Sequence, residues 1–96
     1  MRPTDALDAK RTELRHLVAR HGVLCPRVFG SVLKHTDTDS SDLDLLVDPT
    51  ESTTLLTLAA LQIEAEALLG VPVSILTPNA LPRQFRAEVL AEARPL

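Results

Sequence analysis

Apolar residues recur at helical spacing near the N-terminus, from about Thr4 to His21. Thr4 is a suitable N-cap, and Gly22 is a suitable stop signal just beyond the last periodic residue. The charged residues on the other side have both signs, which is typical of a solvated face. The pattern therefore predicts a first helix with one buried face, formed by Leu7, Leu14, Leu17 and Val18.

Two short apolar segments follow and frame a polar stretch. Val23 to Phe29 suits a strand with an edge position or a bulge at Pro26, because proline cannot donate to a sheet. Residues 31–34 are expected to form a brief helical turn. Leu43 to Val47 then predicts a second strand, which ends at Asp48 and the following proline.

The second half of the chain predicts a helix, a strand and a last helix. Glu51 to Leu69 is apolar on more than one stripe, so one face should pack on a sheet and another is available to a partner or a second copy. Gly70 supplies its stop signal. Val71 to Leu76 predicts a third strand, and Asn79 to Ala93 a helix that tolerates Pro82 only in its first turn. The buried stripe of this last helix is expected to contain Leu81, Phe85, Val89 and Leu90.

The alternation of helices with strands predicts an α/β (α+β) fold, a small mixed sheet of about three strands packed with helices. A chain of 96 residues is expected to form one domain, residues 1–96. A domain of this size buries only roughly 60 to 65% of its unfolded surface, so there is no room for a large second lobe. Much of any substrate-binding surface must therefore come from a partner.

Charge and cysteine content narrow the function classes. Ten basic and thirteen acidic side chains give a formal charge of −3, and Phe29 and Phe85 are the only aromatic residues. Direct nucleic-acid binding is therefore disfavoured. The single cysteine, Cys25, and the lack of a basic stretch followed by an apolar one predict a cytoplasmic protein that does not bind a membrane. Cys25 itself is expected to be a small core residue.

The stretch from Val28 to Asp48 contains five aspartates and a Gly-Ser pair. Residues two apart on a strand point to the same face, so Asp42 and Asp44 should hold two carboxylates side by side. Like charges at that separation repel, and a divalent cation compensates them. Gly30-Ser31 follows a strand and opens a turn, where backbone N–H groups suit phosphate oxygens. Together these features indicate a site for a magnesium nucleotide.

Two simpler interpretations compete with this one. A solvated polar loop explains Asp37 and Asp39 but not why Asp42 and Asp44 lead directly into an apolar strand. A calcium loop that starts at Asp37 would need glycine at its sixth position and glutamate at its twelfth, where Asp42 and Asp48 stand. Calcium is therefore rejected.

Gly30-Ser31, ten further residues and then Asp42-Leu43-Asp44 resemble the signature of the polymerase-beta-type nucleotidyltransferase superfamily, specifically its minimal single-domain (MNT) members. The order of helices and strands resembles that family over nearly the whole chain. The resemblance implies that Gly30 and Ser31 bind the triphosphate of ATP. It also implies that Asp42 and Asp44 are catalytic and bind two Mg²⁺ ions, which stabilise in-line attack at the α-phosphate.

Two positions depart from the family pattern. Ser74 stands where the family usually has a third carboxylate, and the loss of a general base typically costs on the order of 10² to 10⁴ in rate. Glu64 and Glu66 are the candidate replacements. Val32 stands where many relatives have arginine after Gly-Ser, so Lys34 is the residue expected to reach a phosphate.

Minimal members of this family are similar to antitoxins encoded beside HEPN-type ribonuclease toxins. The resemblance implies a protein adenylyltransferase that forms a hetero-oligomer with such a toxin and silences it by transferring AMP to a tyrosine. One alternative is a degenerate antitoxin that acts by direct binding, because Ser74 replaces the third carboxylate. Another is the catalytic subunit of a small-molecule nucleotidyltransferase whose second subunit is a separate helical protein.

Overall fold

The computed structural model describes all residues, 1–96. A four-stranded mixed sheet packed with helices confirms the predicted fold class, and a short fourth strand is added to the three that the sequence predicts. The elements in chain order are α1 (Pro3–Arg20), β1 (Leu24–Phe29), α2 (Gly30–Leu33), β2 (Leu43–Asp48), α3 (Leu55–Leu69), β3 (Val73–Leu76), a 3₁₀ turn (Pro78–Ala80), α4 (Arg83–Glu92) and β4 (Arg94–Pro95).

The strands lie in the order β3-β2-β1-β4. β2 is parallel to β3, whereas β1 is antiparallel to both β2 and β4. The β1–β2 register shifts between Leu24 and Arg27, so the irregularity predicted at Pro26 is present. In this register Asp44 lies between Phe29 on β1 and Ser74 on β3.

The core lies on one face of the sheet, beneath α1 and α3. Leu43, Leu45 and Val47 point into it from β2 and are completely buried, while Asp44 and Leu46 alternate onto the opposite face. The two long helices pack on each other above these residues, and α3 also packs on β3. One face of the sheet is therefore covered by two helices, and Asp44 points to the other.

The two long helices begin differently from the prediction. α1 starts at Pro3, and Thr4 does not act as its N-cap. The amide and hydroxyl of Thr4 instead donate hydrogen bonds to the carboxylate of Asp37, at 2.9 Å and 2.7 Å. α3 starts at Leu55 rather than Glu51, because a reciprocal capping box between Thr54 and Thr57 satisfies the first amides there. It ends at Gly70, as predicted, with left-handed backbone.

The predicted last helix is interrupted, and its predicted buried stripe is wrong. Pro82 disfavours helical backbone at Leu81, so a 3₁₀ turn precedes α4 and Pro82 becomes the N-cap. Leu81 is buried, but Phe85 and Leu90 are 55% and 41% exposed, and no residue of α4 itself is buried. The reason is tertiary, because no second layer of structure covers this helix.

The prediction for Cys25 is also wrong. This residue is exposed and has a φ of +50°, at the irregular start of β1, where the register shift turns its side chain away from the core. Val23 is buried instead. The other strand boundaries lie within two residues of the predicted ones. No helix of the chain combines the length and the apolar character that crossing a lipid bilayer requires.

Candidate active site

The close approach of Gly30 to Asp44 defines the centre of the candidate site. β1 ends at Phe29, and the next residue, Gly30, begins α2 with a φ of +75°. A Cβ added at Gly30 would overlap Asp44 Oδ2 and lie 3.2 Å from its Cγ. Only glycine allows this contact, both because it accepts left-handed backbone and because it has no side chain. The Gly30-Ser31 turn is therefore held directly against the carboxylate of Asp44.

We expect Gly30→Ala to destabilise the protein more than Gly22→Ala. Gly22 has nearly the same φ, +74°, but nothing lies within 4 Å of an added Cβ. Both variants should lose about 1 to 2 kcal/mol to left-handed backbone, and Gly30→Ala should lose about 1 to 3 kcal/mol more to overlap with Asp44. Urea unfolding of the three proteins measures this difference. Equal losses in the two variants would show that Gly30 and Asp44 are not in contact.

The two aspartates carry charge that the chain does not compensate. Asp42, which directly precedes β2, is exposed, and Asp44, the second residue of β2, is half-buried. Burial, and then repulsion by Asp42, raise the pKa of the Asp44 carboxyl above its usual value. A divalent cation between these carboxylates would relieve the repulsion and favour ionised Asp44, so this pair of residues fits such an ion.

The chain supplies only part of a metal coordination shell. No group of three or more His, Cys, Asp or Glu side chains lies close enough together to hold a metal ion. Two carboxylates leave most positions of an octahedral Mg²⁺ ion to other oxygens, and nucleotide sites usually fill them with phosphate and water. The arrangement therefore suits a metal that arrives with a nucleotide.

Ser74 lies beside Asp44 in the sheet. The parallel register pairs the two residues directly, so their side chains share one face, at a separation of about 5 Å between Cβ atoms. The two candidate replacement acids, Glu64 and Glu66, form contacts elsewhere. Glu64 pairs with His21, the residue just after α1, and Glu66 accepts a hydrogen bond of 2.9 Å from the Val73 amide. The structure thus brings neither of them to the aspartate pair.

Lys34 and Ser31 lie on either end of the one-turn helix α2. Ser31 is half-buried, and its carbonyl accepts a 2.9 Å hydrogen bond from the amide of Thr36. Lys34 is exposed and lines a cleft of about 510 Å³ with His35 and Arg94. The cleft lies at the opposite end of α2 from Gly30. Lys34 forms no ion pair with Asp42 or Asp44.

The candidate site is an open surface. Four concavities occur on the molecule, and none is lined by Gly30, Ser31, Asp42 or Asp44. Ligand sites that act alone normally enclose most of a small ligand. The residues of this chain therefore do not by themselves enclose a ligand at Asp42 and Asp44.

One contact near the site was not foreseen from the sequence. Asp37, interpreted as a solvated loop residue, is only 5% exposed, whereas Asp39 is exposed as expected. The hydrogen bonds from Thr4 tie the loop between α2 and β2 to the start of α1, and they lower the pKa of the Asp37 carboxyl. The partners are 33 residues apart, so no local sequence signal joins them.

We expect Thr4→Val to lower the free energy of unfolding by about 1 kcal/mol at pH 7, because a buried hydrogen bond is lost. Because the folded pKa of Asp37 is depressed, its stabilising contribution is present above the unfolded pKa and disappears as the pH falls below about 4. The free energy of unfolding of the variant should therefore differ less from that of the parent at pH 2.5 than at pH 7. Urea unfolding at both pH values checks this, with the exposed Thr38→Val as the control. A constant difference would contradict the assignment.

Comparison with known proteins places the chain among nucleotidyltransferases. The model of the family described as polymerase beta, nucleotidyltransferase, matches residues 12–96. Protein adenylyltransferase MntA of Thermococcus cleftensis is 37% identical over 86 residues, which cover 90% of this chain and 84% of that protein. A solved structure described as a candidate minimal nucleotidyltransferase is 45% identical, with a TM-score of 0.86 over 97% of this chain and 95% of that one.

A solved toxin–antitoxin structure with AMP-PNP has the same fold. It is 15% identical to this chain, with a TM-score of 0.75, and the match covers 88% of this chain and 69% of that one. At this identity the likeness concerns the fold alone. Both structural matches extend over most of the chain.

Proposed function

This chain belongs to the polymerase beta nucleotidyltransferase family, and we propose that it is an antitoxin that silences a HEPN-type ribonuclease toxin by transferring AMP from ATP to it. Residues 1–96 act as one minimal nucleotidyltransferase domain in this proposal. The observation that carries it is the uncompensated Asp42–Asp44 pair held against the Gly30-Ser31 turn. The relative named a protein adenylyltransferase supports the reaction class, and the toxin–antitoxin structure supports the kind of partner.

In this proposal the chain binds ATP with Mg²⁺. Asp42 and Asp44 hold the metal, which when bound neutralises the charge that develops on the phosphates. The backbone of Gly30 and the hydroxyl of Ser31 hold the triphosphate, and Lys34 approaches it from the end of α2. The half-buried position of Asp44 strengthens its attraction for a cation, because less water screens the charge there.

The transfer step forms one bond and breaks another. The hydroxyl oxygen of a toxin tyrosine attacks the α-phosphorus of ATP, and the bond from that phosphorus to the bridging oxygen of the β-phosphate breaks, so that pyrophosphate leaves. The hydroxyl proton goes to water, because Ser74 is not a base and because Glu64 and Glu66 are engaged elsewhere. We therefore expect a slow transferase, by the factor of about 10² to 10⁴ that a missing general base costs.

Intact-mass measurement of the cognate toxin tests this proposal. The toxin is incubated with this protein, Mg²⁺ and ATP, and its mass is compared with that of toxin incubated without the protein. A gain of one or more AMP units, together with loss of ribonuclease activity, is the expected result. Full neutralisation of the toxin with no change in its mass would overturn the transferase function.

A second candidate function is neutralisation by direct binding, and one observation favours it. Leu55, Leu56 and Ile63 on α3 are 85%, 81% and 67% exposed, which is unusual for large apolar side chains on one helix. A surface of this kind suits a protein partner and requires no chemistry. In that case neutralisation would need neither ATP nor the two aspartates.

A further inference from the structure

The position of α4 follows from the strand order. β3 and β4 form opposite edges of the sheet, so the chain between them must pass across β2 and β1. The face under α1 and α3 is already covered. The 3₁₀ turn contacts β2, and Leu81, which follows it, is buried outside the core cluster, as is Leu46. α4 therefore passes on the face to which Asp44 and Ser74 point.

The two ends of α4 lie next to elements that carry the candidate site. At its start, the Arg86 guanidinium donates to the carbonyls of Asn79 and Leu81, at 3.1 Å and 3.0 Å, and ties the helix to the turn beside β2. At its end, Ala91 and Glu92 line the same cleft as Leu33, Lys34 and His35 at the end of α2. α4 therefore ends beside α2, the one-turn helix that begins at Gly30, on the side of the sheet to which Asp44 points.

α4 has an apolar side that the chain covers only in part. Phe85 and Val89 lie one helical turn apart and Leu90 is adjacent, and we call these three residues the α4 strip. Phe85 and Leu90 are about half exposed, and α4 has no buried residue. A helix of ten residues is marginal in water without tertiary packing. The strip is thus suited to a macromolecular partner.

We propose that the α4 strip is the docking surface for the protein that accepts the nucleotidyl group. This inference rests on the proposed function and names the surface through which it operates. The aspartate site has no enclosing walls, so an acceptor hydroxyl must be presented to it by a protein bound beside it. The α4 strip is the exposed apolar surface on that side of the sheet.

The apolar patch of α3 does not meet this requirement. α3 packs with α1 on the opposite face of the sheet, and Leu55 and Leu56 begin the helix just after the end of β2 that is far from Asp44. A protein bound to that patch would be separated from the aspartates by the sheet. The occupant of the α4 strip is therefore the acceptor, a protein with an apolar surface and an acceptor hydroxyl beside it.

Charge substitution on α4, compared with the same change on α3, tests the inference. Phe85→Glu and Leu90→Glu are matched with Leu56→Glu, and all three positions are exposed. Affinity for the cognate HEPN-type toxin is measured by calorimetry without nucleotide, and folding is checked by circular dichroism. We expect each α4 variant to bind the toxin at least tenfold more weakly than the parent, because the loss of an apolar contact at the centre of an interface typically has an effect of this size. Leu56→Glu should bind with the affinity of the parent.

Rates of AMP transfer separate docking from chemistry. The α4 variants should lose rate at low toxin concentration and recover it at saturating toxin, since they raise KM and leave kcat unchanged. Phe85→Ala and Leu90→Ala provide milder versions if either glutamate variant folds poorly. Parental binding by the folded α4 variants, or a tenfold loss in Leu56→Glu alone, would overturn the inference.

The two proposals fail in different ways. If the parent protein transfers AMP while the α4 variants bind and transfer equally well, the docking surface is wrong and the transferase function stands. If the parent transfers no AMP while the α4 variants alone lose affinity, the transferase function is wrong and the α4 strip remains the surface that binds the toxin.

Discussion

Asp42→Asn and Asp44→Asn will each reduce AMP transfer onto the toxin by about a thousandfold or more. A metal ion in such a site supplies several kcal/mol of transition-state stabilisation, and each 1.36 kcal/mol is a factor of ten in rate. The chain has no third acidic side chain at this site to compensate. Single-turnover transfer followed by intact mass measures the loss. Asp39→Asn is the control, because Asp39 lies exposed in the preceding loop.

Asp44→Asn should lower the transfer rate but leave the stability of the protein unchanged or raise it. Because burial and Asp42 raise the folded pKa of Asp44, the ionised carboxylate is destabilising above that pKa, and the penalty disappears as the pH falls. Asp44→Asn should therefore unfold at an equal or higher temperature than the parent at pH 7 without metal. Mg²⁺ with ATP should raise the unfolding temperature of the parent but not of a variant that combines Asp42→Asn with Asp44→Asn. A less stable, fully active Asp44→Asn would contradict the assigned site.

Ser74→Asp will raise the rate of AMP transfer, by up to the factor of about 10² to 10⁴ that a general base contributes. Ser74 is the direct neighbour of Asp44 on the parallel strand, so an aspartate there would join the pair on the same face. The measurement is the single-turnover rate at saturating ATP and toxin. Ser74→Asn is the matched control, because it has nearly the same size but no charge.

The Ser74→Asp variant should also become dependent on metal for its stability. A third carboxylate beside two uncompensated ones adds repulsion, so the unfolding temperature without divalent cation should fall below that of Ser74→Asn. Added Mg²⁺ and ATP should recover the difference. An unchanged rate together with unchanged stability would mean that position 74 is not adjacent to the reacting groups.

The sequence predicted those features that depend on neighbouring residues along the chain. The alternation at Asp42, Leu43 and Asp44 requires only the two-residue period of a strand, and it held because Leu43 is completely buried. The end of α3 at Gly70 requires only that glycine accepts left-handed backbone. The Gly-Ser turn before the aspartates was recognisable for the same local reason, although its contact with Asp44 was not.

The features that the sequence missed depend on residues far apart in the chain. Thr4 has the composition of an N-cap, but Asp37 competes for its hydroxyl once the loop folds against α1. Glu66 was a candidate metal ligand until β3 placed an amide within reach of it. Phe85 has the spacing of a buried residue, yet burial needs a layer on top of the helix, and the chain contains none.

The sequence by itself therefore determined the types of the two long helices and of the first three strands, the presence of two neighbouring aspartates and the absence of a carboxylate at position 74. Only the tertiary structure decided that Ser74 is the neighbour of Asp44 and that Glu64 and Glu66 are engaged elsewhere. The physical reason is that backbone periodicity and glycine conformation are local properties, whereas burial and side-chain pairing depend on which strands become neighbours. Strand order is set by the packing of the whole chain.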